Sequence, residues 1–130
     1  MTGADEVRLA VPARPEYLRL ARVTAAGLAS RLGFSYDEVE DLRLAIDELC
    51  FGLTGSHGRD GTVSIRYILD GDRLVVEGAG NFSSAETVHH SELSNVILTA
   101  LVDEHQLENT PAGPRFRMVK RRQRHARGDP

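Results

Sequence analysis

The run Asp41-Leu42-Arg43-Leu44-Ala45-Ile46-Asp47-Glu48-Leu49-Cys50 places two adjacent carboxylates inside an apolar-faced helix. Val39, Leu42, Ile46, Leu49 and Leu53 recur at spacings of three and four, the period of a helix with one buried side. Ser35, with Glu38 three residues later, predicts a capping-box start, and the pattern carries the helix to about Thr54. Successive helical residues are about 100° apart, so Asp47 and Glu48 cannot share a face. One of them is expected near the buried stripe, where an ionised carboxylate is costly without a partner. Two readings stay open from spacing alone: a solvated acid at the edge of the stripe, or a functional carboxylate facing a pocket.

Outward from this helix the chain reads as one coherent layout without repeats or low-complexity linkers. Val7, Leu9 and Val11 alternate with Arg8 and Ala10, which predicts a strand ended by Pro12. Pro15 suits the first turn of a helix running to about Leu32, with Gly33 as its stop. Residues 55–61, rich in glycine, read as a loop. Val63, Ile65, Tyr67 and Leu69 mark a strand, and Asp70-Gly71-Asp72 turns it into a second, Arg73 to Glu77. From Gly78 to about Glu92 the chain reads as a long polar connection, of a length that favours a functional segment. Leu93, Val96, Ile97, Ala100 and Leu101 mark a third helix, and Phe116, Met118 and Val119 a closing strand. The order strand, helix, helix, hairpin, loop, helix, strand predicts an α+β fold: a two-layer sandwich with helices on one face of a mostly antiparallel sheet.

With 130 residues and 41% hydrophobic content, the chain has material for one core. Residues 1–122 are read as a single domain and 123–130 as a basic, solvated tail. No run of about 18 apolar residues and no basic-then-apolar leader appears, so a cytoplasmic protein without a membrane span is expected. The net charge of −3 is unevenly spread: residues 1–114 hold nine basic and eighteen acidic side chains, whereas 115–130 hold seven basic and one acidic. The basic end has no aromatics after Phe116, which speaks against direct nucleic-acid binding. The single cysteine, Cys50, excludes an internal disulfide and reads as a small buried hydrophobe.

Several stretches together resemble the anti-sigma-factor and serine-kinase branch of the GHKL (Bergerat-fold, histidine-kinase-like) ATPases. "DLRLAIDELC" is similar to the helix carrying that family's N-box, and Leu74 to Phe82 ("LVVEGAGNF") to the strand entering its D-x-G-x-G nucleotide box. "ILTALVDE" (Ile97 to Glu104) resembles its penultimate helix and "GPRFRMVKR" (Gly113 to Arg121) its last strand. The resemblance spans roughly residues 6–122 and looks most like actinobacterial members. It implies the same two-layer fold, with nucleotide held between helices and sheet. It also implies an alternative sigma factor and a STAS-domain antagonist as partners, and a homodimer.

The resemblance assigns roles to particular residues, and there this chain departs from the pattern. Glu48 matches the N-box Glu that orients the attacking hydroxyl. Four residues on, where the family binds Mg²⁺ through an Asn side chain, stands Gly52, which has no side-chain oxygen. Gly78 occupies the place of the adenine-reading Asp, and it is followed by Ala79-Gly80-Asn81-Phe82, so Gly80 alone survives of the two box glycines. A slip of one residue would let Glu77 replace the Asp but would break the glycine spacing. The Gly-rich phosphate turn corresponds to Glu92-Leu93-Ser94-Asn95, which contains no glycine, although close backbone approach to polyphosphate normally needs one. Metal, base and phosphate elements are thus all altered, and ATP with Mg²⁺ is expected to bind weakly or not at all. The expected function is an anti-sigma factor with a degenerate ATP site. Its alternatives are an active serine kinase of the STAS antagonist and a non-catalytic scaffold. His57 reads as a loop histidine, and His89, His90 and His105 as surface residues, with no metal site expected.

Overall fold

The computed structural model describes residues 5–84 and 91–123. Its elements are β1 (Asp5–Pro12), α1 (Pro15–Arg31), α2 (Tyr36–Thr54), β2 (Gly61–Asp70), β3 (Arg73–Phe82), α3 (Glu92–Leu101), β4 (Glu104–Thr110) and β5 (Gly113–Arg121). The strands form one sheet in the order β1-β2-β3-β5-β4, and all four pairings are antiparallel. This is the α+β two-layer arrangement that the sequence predicts.

The core lies between the helices and one sheet face. Val11, Val63, Ile65, Tyr67, Leu74, Val76, Phe116 and Met118 meet Leu18, Leu42, Ile46, Leu49, Leu53 and Leu98, all 8% exposed or less. Each fully buried aliphatic side chain contributes about 1.5–3 kcal/mol. Beyond Leu18, the fully buried residues that α1 offers the core are small, namely Ala21, Ala25 and Ala29, with Leu28 packed partly buried against it. The Tyr67 hydroxyl crosses the layer boundary and donates to the Ala21 carbonyl at 2.8 Å. Burial raises this phenol well above its ordinary range, so it remains a neutral donor.

α2 begins as expected. Ser35 Oγ accepts from the Glu38 N–H at 3.1 Å, and Glu38 Oε1 accepts from the Ser35 N–H at 2.7 Å. The other Glu38 oxygen, Oε2, accepts from the Gln123 N–H at 2.6 Å, so the chain beyond β5 is fastened to the start of α2. The remaining residues of the expected tail, 124–130, lie outside the described residues.

Two boundaries differ from the sequence reading. β3 continues to Phe82, which places Gly78 and Gly80 within a strand rather than in a loop. The helix over "ILTALVDE" stops at Leu101. Val102 is already extended, and the Asp103 N–H donates to the Val119 carbonyl at 2.9 Å, leading into β4, a strand that the sequence reading missed. Among the described residues no helix is long and apolar enough to cross a membrane.

Candidate functional site

The five positions assigned by resemblance, Glu48, Gly52, Gly78, Gly80 and Ser94, all lie among the described residues. Asp47 and Glu48 divide as the helical period requires. Asp47 is exposed and its Oδ2 accepts from Arg22 Nη1 of α1 at 3.1 Å. Glu48 is half-buried and has no hydrogen-bond or ion-pair partner among the described residues. The acid nearer the stripe is therefore Glu48, and the partner expected for it is absent there.

Gly52 lies one turn beyond Glu48 on α2. A Cβ at this position would lie 3.0 Å from Cδ2 of Leu107 on β4. A methyl group of Leu107 thus packs against the place assigned by resemblance to a metal-binding Asn. Gly78 is buried on the core face of β3, opposite Phe116 of β5. A Cβ there would stand 2.3 Å from Phe116 Cε2 and 2.6 Å from its Cζ, so the ring covers the place of the adenine-reading carboxylate. At Gly80 a Cβ would meet Cε2 of Phe82 at 2.3 Å. Phe82 stands where the second box glycine would be and lays its ring over the first.

Phe82 is in turn covered. The Arg59 guanidinium carbon sits 4.1 Å from its ring centroid, within the range of a cation–π contact. Arg59 Nη2 also donates to Ser84 O and Oγ, at 3.2 and 3.0 Å, and Nη1 to Leu53 O at 3.4 Å. Arg59 is held in place because Gly58 passes close to the β1–α1 connection at φ 81°, where a Cβ would lie 2.6 Å from Ala13 O. The Arg59 N–H then donates to that same carbonyl at 2.9 Å. The sequence reading did not identify Arg59, since a lone loop arginine carries no pattern.

Ser94 lies in the first turn of α3. Its N–H donates to Ser91 Oγ at 3.0 Å, an ordinary N-cap contact, so this amide is already engaged by the protein. Cys50 is buried, and burial with Asp47 nearby pushes its thiol up to about 12, which removes the thiolate needed for nucleophilic chemistry. His57 is exposed in the turn after α2, and His105 Nε2 shares a hydrogen bond of 3.1 Å with Thr99 Oγ1. His89 and His90 lie outside the described residues. Among the described residues no group of three His, Cys, Asp or Glu side chains could hold a metal ion.

These residues do not fit Mg-ATP as the resemblance would have it bound. The metal position offers no oxygen, the adenine position no carboxylate, and apolar side chains stand at both.

Comparison with known proteins gives the same ancestry as the motifs. The profile of the histidine kinase-like ATPase domain matches residues 11–120. The serine-protein kinase RsbW of Bacillus pumilus is 31% identical over 127 residues, covering 80% of this chain and 78% of that protein. RsbW of Bacillus subtilis is 43% identical over 77 residues, covering 57% and 48%. RsbW of Listeria monocytogenes is 38% identical over 89 residues, covering 64% and 55%. In the last two, the aligned stretch spans about half of the relative.

Proposed function

The chain belongs to the histidine kinase-like ATPase family, in its anti-sigma-factor and serine-kinase branch, and on that premise we propose that it is an anti-sigma regulatory factor. In this reading it binds an alternative sigma factor of the stress or development type and keeps it from RNA polymerase in the cytoplasm. A STAS-domain antagonist releases the sigma factor by competing for the protein. The observation that carries the reading is the contrast between a kept fold and lost chemistry: kinship covers most of the chain, while Gly52 and Gly78 replace the metal and adenine contacts. A protein that keeps the scaffold without the phosphoryl-transfer positions retains the part that grips other proteins.

The outer helix surface suits a protein partner. Tyr17, Leu20 and Val23 on α1 and Leu44 and Phe51 on α2 are 44–58% exposed, and exposed apolar side chains of this size are common at interaction sites. Residues 1–114 carry nine basic against eighteen acidic side chains, a complement to the basic surface of a DNA-binding factor. One observation favours the kinase alternative, the survival of Glu48 at the position of the catalytic base.

The test is binding of purified chain to each sigma factor of the source organism, across a salt series. We expect a complex through a patch of about 800 Å² per partner whose association slows as salt rises, because exposed charges are screened over about 8 Å at physiological ionic strength. Removing Arg124 to Pro130 should change affinity by less than about threefold, since ion pairs in contact with solvent contribute little. If no sigma factor binds at low salt, the anti-sigma assignment is wrong and a scaffold for another partner takes its place. Transfer of phosphate to a STAS partner, abolished by Glu48→Gln, would replace it with the kinase reading.

A further inference from the structure

The core-face row that crosses the sheet at the nucleotide box has an unusual composition. Strand register aligns Leu9, Ile65, Gly78, Phe116 and Leu107 across β1, β2, β3, β5 and β4. In this row one residue has no side chain, and the ring of its neighbour Phe116 leans into the vacant place. Phe116 is 3% exposed. Leu107, next in the row, fills the corresponding vacancy on the helix side at Gly52. Two residues along β3 the device recurs, with the ring of Phe82 over Gly80 and the Arg59 guanidinium over that ring. At Gly52 and Gly78 a neighbouring side chain packs where the ATP-site residue would stand, and Phe82 itself takes the place of the second box glycine.

We propose that the cleft is closed from within: Phe116 fills the adenine position, Leu107 packs against the metal position, Phe82 covers the surviving box glycine Gly80, and Arg59 staples Phe82 in place. The grip on a protein partner is then set by the fold and does not respond to ATP or ADP. This last step rests on the anti-sigma reading, whereas the filled cleft does not. The physical reason is competition for volume. A protein interior is packed about as densely as an organic crystal, so a nucleotide could enter only by expelling two rings and a leucine from their contacts. Arg59 raises that barrier because it holds both the ring of Phe82 and the backbone at Ser84.

The experiment has three arms. Thermal melts of the wild-type chain with about 2 mM ATP or ADP, with and without Mg²⁺, should shift by less than about 2 °C. Amide exchange should be at least about tenfold faster at residues 80–84 in Arg59→Ala and in Phe82→Gly, with the β1–β2 pairing unchanged. Affinity for the sigma partner should be the same with and without nucleotide. A nucleotide-dependent rise in melting temperature above about 2 °C overturns the proposal, as does a partner affinity that changes about fivefold or more with ATP. Unchanged exchange at 80–84 in Arg59→Ala overturns the staple. If no sigma factor binds while the first two arms come out as expected, the functional reading fails and the closed cleft stands.

Discussion

In the first turns of α2, Glu38 and Asp41 are tied to residues outside the helix, and Glu40 to Arg43 within it. Glu38 holds Ser35 and Gln123, and Glu40 accepts from Arg43 at 2.9 Å. Asp41 lies 3.6 Å from Lys120 Nζ, which itself donates to the Leu101 carbonyl at the end of α3 at 2.7 Å. In the last turns the contacts thin out: Asp47 has a single ion pair with Arg22, Glu48 has no partner among the described residues, and Gly52 has no side chain. The first half joins α2 to β5, to the end of α3 through Lys120, and to Gln123. The second half holds the two positions to which the resemblance assigns chemistry, and of these only Glu48 keeps its side chain. The sequence signal that betrays the family therefore reports mostly on packing, not on activity.

The sharpest way to break this comparison is to restore the family's residue at the closed end. Gly78→Asp would drive a side chain into the Phe116 ring and bury a carboxylate without a partner. We expect a loss of about 3 kcal/mol or more in urea unfolding, with no gain in ATP binding. A loss below about 1 kcal/mol would mean that the cleft is open enough to accept the group.

A smaller effect tests the anchored end. Glu38→Ala removes one member of the capping box and the acceptor for Gln123, and should cost about 2 kcal/mol in urea unfolding. Burial alone would raise this carboxyl. The backbone hydrogen bonds from Ser35 and Gln123, with Lys120 nearby, outweigh it and hold the group below its usual range. A carboxyl lowered by folding contributes fully above its unfolded value, about 4.3, and ceases to contribute as pH falls through the lower folded value. Wild type should therefore exceed Glu38→Gln in stability at neutral pH and converge with it in acid. Parallel pH–stability curves for the two would remove the carboxylate from the anchor.

The smallest effect is expected at Glu48. Replacing it with Gln should change stability by less than about 0.5 kcal/mol or raise it slightly, because a half-buried, unpaired charge is removed. A loss above about 1 kcal/mol would reveal a partner for Glu48 and make the two ends of α2 alike.

Much of the fold was legible because its signals are local. Ser35 and Glu38 announce a cap three residues apart, and strict alternation from Val63 to Leu69 with Asp70-Gly71-Asp72 announces a hairpin. β4 escaped because it is a polar edge strand: Glu104, Gln106 and Glu108 face outward, and of the others only Leu107 reads as core. Gly78 and Gly80 suggested a loop, since glycine is usually poor in strands. They are strand residues because Phe116 and Phe82 supply the packing that glycine lacks. Lys120, 7% exposed, reads in the sequence only as one more charge of the basic end, because its acceptor at Leu101 is nineteen residues away and reached only through space. Of the candidate site, the missing side chains were legible and their replacements were not, for the same reason.

The sheet face away from the helices carries a chain of opposite charges that crosses all five strands. Glu6 on β1 takes both Arg8 and Arg66, Arg66 reaches Glu77 on β3, and Arg117 on β5 lies between Glu77 and Glu104 of β4, which also approaches Arg121. Arg66 and Arg8 hold the Glu6 carboxyl at about 2. Arg8 and Arg66 stand directly opposite one another in the register, an unfavourable like-charge pair that Glu6 bridges. Exposed pairs of this kind add little to stability, but they act as a key for assembly. A slip of one residue would turn these charges into the core. A slip of two would pull Arg66 away from its carboxylates. Neighbouring molecules meeting this face encounter a hydrated, mixed-charge surface instead of a bare apolar sheet. The ladder thus selects one alignment of the strands and discourages sheet-to-sheet stacking in crowded solution.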